Sequence, residues 1–186
     1  FTNNPYRIKR AADKAVREHN LYQTSLLKGN LPEKYMGEAD IPISHNGPLI
    51  GIATHPYLLY DGFINMKLLE KLSNKGIKFL LPEMLEKKVI EEKCGMLEKR
   101  MFWSSGKDFI GSALYMMDNN KIDGILILTS FGCGIDSLSI DYIERLRKKT
   151  YKKPFMVITL DEHTGDANFN TRLEAFLDLI DRRKRL

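Results

Sequence analysis

The stretch Gly124-Ile125-Leu126-Ile127-Leu128-Thr129, running into Ser130-Phe131-Gly132-Cys133-Gly134-Ile135-Asp136, decides the fold. Its apolar residues succeed one another without the polar alternation of a half-exposed strand, which is the pattern of a strand covered on both faces. Glycines then break the chain, and a helical pattern takes over from Asp136 to Lys149. Strand, tight turn and helix in that order are the repeating unit of a parallel α/β sheet.

The same unit recurs on both sides. Leu49–Thr54, Lys78–Leu81 and Phe155–Leu160 read as further strands, and Ile64–Asn74, Met84–Lys93, Ser105–Asn119 and Thr171–Arg183 as helical segments. Four parallel strands flanked by helices are therefore expected, and right-handed crossovers put them in the order 2-1-3-4. Residues 5–27 begin at Pro5 and carry Ile8, Ala11, Ala12, Ala15, Val16, Leu21, Tyr22 and Leu26 at helical spacing, an amphipathic N-terminal helix. Gly29, Pro32, Gly37, Pro42, Gly47 and Pro48 punctuate the next twenty or so residues, so residues 1–48 read as a helix and linker ending an upstream segment. Residues 49–186 read as one α/β Rossmann-like domain. Asn74-Lys75-Gly76 has the glycine of a helix stop, and Thr171-Arg172-Leu173-Glu174 has the spacing of a capping box.

Composition sets the outer limits. The 186 residues are 43% hydrophobic and 28% charged, ordinary for a globular chain and unlike a disordered or fibrous one. No apolar run approaches the roughly 20 residues of a membrane span. Cys94 and Cys133 are too few for a disulfide scaffold, and no signal-like segment opens the chain, so a reducing cytoplasm is expected. The chain begins with Phe1, which reads as a piece of something longer. Much of the net charge of +5 comes from Lys148, Lys149, Lys152 and Lys153 and from Arg182, Arg183, Lys184 and Arg185. Both runs fall where helices should end and complement the helix dipole there, so neither nucleic acid nor membrane is expected as a partner.

Ligands of open parallel sheets bind beyond the carboxyl ends of the strands. Three such ends are polar here: His55-Pro56-Tyr57 with Tyr60-Asp61 after the first strand, the Cys133 loop after the third, and Asp161-Glu162-His163-Thr164 after the fourth. Cys133 stands out. Glycines on both sides expose the sulfur, and the next helix, capped by Asp136 or Ser137, points its positive end toward a group whose anion is a metal ligand or nucleophile. With His55, His163 and the carboxylates Asp161 or Glu162 it makes a candidate zinc or Cys-His-acid set; a small thiol packed in a tight turn explains the same residues. Cys94 has no partner cysteine nearby in sequence. Ser104-Ser105-Gly106-Lys107 lacks the glycine and spacing of a phosphate-binding loop.

Taken together, Asp123-Gly124-Ile125-Leu126, Phe131-Gly132-Cys133-Gly134-Ile135-Asp136-Ser137, Lys153-Pro154-Phe155, Asp161-Glu162-His163-Thr164 and Thr171-Arg172-Leu173-Glu174-Ala175-Phe176 closely resemble the activase-related proteins of the 2-hydroxyacyl-CoA dehydratase and benzoyl-CoA reductase superfamily. Gly51-Ile52-Ala53-Thr54-His55-Pro56-Tyr57 and Tyr60-Asp61 are similar to the segment that opens the same domain. The resemblance spans about residues 49–180. It implies part of an iron–sulfur 2-hydroxyacyl-CoA dehydratase- or reductase-type system of anaerobic metabolism, in which an ATP-dependent activase component or a fused ATPase domain drives low-potential electron transfer. It implies a 4Fe-4S cluster shared with a second cluster-binding domain, Cys133 as cluster ligand, and an acyl-CoA as substrate. His55, Asp61, Glu162 and His163 are candidates for lining the site. One matched cysteine is an incomplete ligand set for such a cluster. A non-redox binding module for a protein partner or an acyl-CoA is the alternative, and a metal hydrolase using Cys133, His55 and His163 a third.

Overall fold

The computed structural model describes residues 2–32, 41, 47–97 and 100–185. Two compact units are present, Phe1–Asp40 and Ile41–Leu186. The first carries helix α1, Pro5–Leu27, started by the Asn4 side chain, which accepts from the backbone N–H of Tyr6 at 3.0 Å, with Pro5 in the first turn where its missing N–H costs nothing. Gly29, at φ +85°, ends it. Of the expected linker glycines and prolines, Gly37 and Pro42 lie outside the described residues.

The second unit holds strands β1 (Leu49–Ala53), β2 (Lys78–Leu80), β3 (Gly124–Ser130) and β4 (Phe155–Leu160), all parallel in the order β2-β1-β3-β4. The expected sheet and order are observed. Helices α2 (Pro56–Tyr60), α3 (Leu68–Asn74), α4 (Lys87–Gly95), α5 (Ser104–Asp118), α6 (Gly134–Thr150) and α7 (Asp166–Lys184) link the strands and close the chain. Alternate residues of the central strands serve opposite layers. Ala53, Ile125 and Ile127 join Phe109, Ile110, Ala113 and Met116 of α5 and Ile143 of α6 in one buried cluster. On the other face, a side chain at Gly124 would run into Ile180 and Phe176 of α7. Ion pairs tie α3 to α7, Lys75 to Glu174 at 3.2 Å and Lys71 to Asp166. Central strands buried in this way on both faces account for the unbroken Ile-Leu-Ile-Leu of β3.

Helix boundaries depart from the sequence reading where side chains take over backbone groups. The helix expected from Ile64 starts at Leu68, because Asp61 accepts the N–H groups of Phe63 and Ile64, Asn65 bonds the carbonyls of Leu58 and Leu59, and Met66 and Lys67 adopt positive φ. Ahead of α4, residues Pro82–Met84 form a 3₁₀ turn. Helix α7 begins five residues before Thr171, so that hydroxyl bonds the carbonyl of Ala167 within the helix and no capping box forms there. Gly76 does close α3: at φ +71° it donates to Ser73 while Ile77 donates to Leu72, the paired bonds of a Schellman stop. Lys148 and Lys149 sit in the last turn of α6 and Arg182, Arg183 and Lys184 in that of α7, whereas Lys152 and Lys153 lie beyond α6; Lys184 pairs with Asp123 at 2.8 Å. No helix among the described residues is long and apolar enough to cross a membrane.

Candidate functional site at the carboxyl ends of β1 and β3

The connection from β1 to β2 runs to one side of the sheet and the path to β3 to the other, so the order β2-β1-β3-β4 reverses between β1 and β3. Diverging connections open a crevice at such a point. Ala53 pairs with Ile127 in register, which brings the residues just beyond β1 beside those ending β3. His55 and Asp136, 81 positions apart in sequence, meet there at 2.7 Å between Nε2 and Oδ1.

Asp136 is the hub of the site. It occupies the first turn of α6, is 1% exposed, and its second oxygen accepts the Thr129 hydroxyl at 2.7 Å. Burial alone would push this carboxyl up; the hydrogen bonds from His55, Thr129 and the Cys133 thiol outweigh it and hold Asp136 below the ordinary carboxylate range. The reciprocal effect acts on His55. Its bond to Asp136 raises the imidazole against the opposing effect of burial, helped by the charges of Asp136 and Asp108. The two form a histidine–carboxylate pair in the interior, and the positive end of α6 adds to the field that favours the charged form of Asp136.

Aromatic rings fix the imidazole. Tyr57 stacks on it at 5.9 Å and 11°, and Phe109 of α5 at 5.6 Å and 24°. The Tyr57 hydroxyl in turn lies 3.0 Å from the Ser130 hydroxyl at the end of β3, a second tie between the two loops. Cys133 is the residue that caps α6 by position, not by side chain, after Gly132 at φ +80° has turned the chain. Its backbone carbonyl receives Ser137 N–H at 3.0 Å and the Ser137 hydroxyl at 2.9 Å, which secures the loop from behind. The sulfur is half-buried, and Cys133 Sγ, His55 imidazole nitrogen and Asp136 carboxylate oxygen lie within 4.8 Å of one another.

The other candidates are placed elsewhere. Asp61 stabilises the turn after α2 through Phe63 and Ile64. Glu162 and His163 are exposed and face each other at 3.5 Å, while Asp161 accepts from His163 N–H and the Thr164 hydroxyl, a self-contained turn. That turn borders a cleft of about 340 Å³ lined by Thr159, Phe169 and Arg172, and Arg172 donates to the carbonyl of Val157 at 2.6 Å in β4. Cys94 lies on α4, its thiol 3.1 Å from the carbonyl of Lys107, and burial pushes it up. Sequence reasoning expected Asp136 only as a possible helix cap and missed Thr129, Tyr57 and Phe109 as partners. The signal for Asp136 was strand order, which sets the His55 loop beside the start of α6.

Residues 1–85 match the family model described as CoA enzyme activase uncharacterised domain. Over that stretch the chain is similar to the activase domain. The matched part carries α1, β1, β2, His55 and Asp61, and it stops before Cys133 and Asp136. No curated protein matches the chain.

Proposed function

We propose that this domain works in a CoA enzyme activase-related system and that Cys133 supplies one thiolate to an iron–sulfur cluster whose remaining ligands come from a second cluster-binding domain. The resemblance implies a 4Fe-4S cluster, and the residues present do not fit one by themselves. Such a cluster takes four ligands, usually thiolates, whereas one sulfur stands at the site and the other, Cys94, is engaged with Lys107 on α4. The reading is therefore of a shared site, served by an ATP-dependent activase component or fused ATPase domain, with an acyl-CoA as the substrate class. A reducing cytoplasm suits the two free cysteines.

The observation that carries this reading is the placement of Cys133: half-buried, at the switch point of the sheet, on a loop held by Asp136 and Ser137. Anaerobic reconstitution with iron and sulfide, in the natural polypeptide context, tests it. Wild-type protein is expected to bind iron and show cluster absorption, and Cys133→Ser to lose both while Cys94→Ser keeps them. Absence of iron from the wild type, or an unchanged iron content in Cys133→Ser, overturns the reading.

A further inference from the structure

Three donors of different chemistry converge at the β1–β3 crevice, close enough together to reach a single ion. The imidazole of His55, the thiol of Cys133 and the carboxylate of Asp136 lie within 4.8 Å of one another. Bonds of about 2.0–2.3 Å from each to a common centre need only small side-chain adjustments from that starting point. Two of the three are in the interior, His55 at 9% and Asp136 at 1% exposure, and both are already oriented: His55 between Tyr57 and Phe109, Asp136 by the Thr129 hydroxyl. An outer layer of this kind, a hydrogen bond on the ligating carboxylate and packing on the ligating ring, is what tunes protein metal sites.

The donor set also selects the ion. One thiolate, one imidazole and one carboxylate match a borderline-soft cation, whereas calcium and magnesium take oxygen cages. We infer that His55 Nε2, Cys133 Sγ and an oxygen of Asp136 form a mononuclear site for a zinc-class divalent ion, with the fourth tetrahedral position open on the side where Cys133 reaches solvent. As the ion enters, the proton between Nε2 and Oδ1 and the thiol proton leave to solvent. Three protein ligands and one open position are the arrangement in which zinc carries a water or an exogenous ligand rather than a purely structural role. This inference does not rest on the shared-cluster reading, although both use the Cys133 sulfur.

The experiment is zinc titration of the metal-free full chain against a chromophoric chelator, with cobalt(II) as spectroscopic substitute. One equivalent is expected to bind, and the cobalt form to show a thiolate-to-metal charge-transfer band. Cys133→Ser abolishes the band, His55→Ala weakens zinc binding by at least about 10-fold, and Thr129→Val, acting only through Asp136, weakens it by about 10-fold. Cys94→Ser changes nothing. If His55→Ala does not fold, as judged by circular dichroism, His55→Gln replaces it with the same expectation. Binding well below one equivalent, a band that survives Cys133→Ser, or wild-type affinity in the His55 variant overturns the site. Iron and sulfide reconstitution separates the two readings, because cluster ligation requires Cys133 and not His55. Zinc binding without a cluster sustains this site and defeats the shared cluster; a His55-independent cluster without zinc binding does the reverse.

Discussion

Two places along the carboxyl edge of the same sheet carry a histidine, an acid and a hydroxyl, and only one of them is built as a site. Beyond β4, Asp161, Glu162, His163 and Thr164 are neighbours in sequence and satisfy each other on the surface. Where β1 and β3 end, His55 from one strand end meets Thr129 and Asp136 from the other in the interior, with the half-buried Cys133 beside them. A local polar cluster has its bonding needs met by its own turn and is free to stay in water. A buried carboxylate, by contrast, is stable only because donors from both strand ends reach it, and such an arrangement fixes geometry as well as charge.

The sharpest way to break this comparison is to remove the hub. Asp136→Ala leaves His55 and Thr129 without their acceptor in the interior and is expected to cost about 3–5 kcal/mol, lowering the melting temperature by roughly 10 °C at this chain length. Asp161→Ala, at the surface turn, should lower it far less; equal losses in the two melting curves would abolish the distinction. Next in size is the histidine pair. His55→Ala removes a ring stacked on Phe109 and the partner of Asp136, a loss of about 2–3 kcal/mol, whereas His163→Ala stays within about 0.5 kcal/mol of wild type in denaturant titrations.

A smaller effect comes from pH. The raised His55 contributes stability that is complete below its ordinary value of 6.5 and is lost as pH rises through its folded value above that. The lowered Asp136 contributes stability that is complete above its ordinary 3.8 and is lost as pH falls through its folded value below that. The pair is thus at full strength between pH 3.8 and 6.5. Denaturation midpoints should show the alkaline-side decline in wild type and a reduced one in His55→Gln; identical slopes would mean the ion pair contributes nothing to linkage. The smallest difference concerns the thiols. Cys133, open at the crevice, should alkylate several-fold faster at neutral pH than Cys94, whose thiol burial pushes up; mass spectrometry of a short iodoacetamide pulse reads the order, and faster labelling of Cys94 would contradict the placement of the Cys133 loop.

Most of the fold was legible because its signals are local. The apolar runs of β1, β3 and β4 and the glycine after α3 each carry their reason within a few residues, and handed crossovers convert them into the order β2-β1-β3-β4. Half of the site was legible for the same reason: His55 and Cys133 mark strand ends. The acid was not. Asp161 and Glu162 lie beside His163 in sequence and attract attention, while Asp136, in the first turn of a helix, looks like a terminus charge until the reversal between β1 and β3 is taken literally and His55 is set opposite it. The start of α7 was misplaced because a Thr-x-x-Glu spacing inside a helix is indistinguishable from one at its beginning when the preceding turn, Asp161 to Gly165, is read as a separate motif.

The central claim is that the chemistry of this domain belongs to the β1–β3 crevice and not to the turn after β4. Side-by-side zinc titration of His55→Ala and His163→Ala in the full chain tests it directly. The account predicts affinity reduced by at least about 10-fold in the first and wild-type affinity in the second; retention by His55→Ala together with loss by His163→Ala would contradict it.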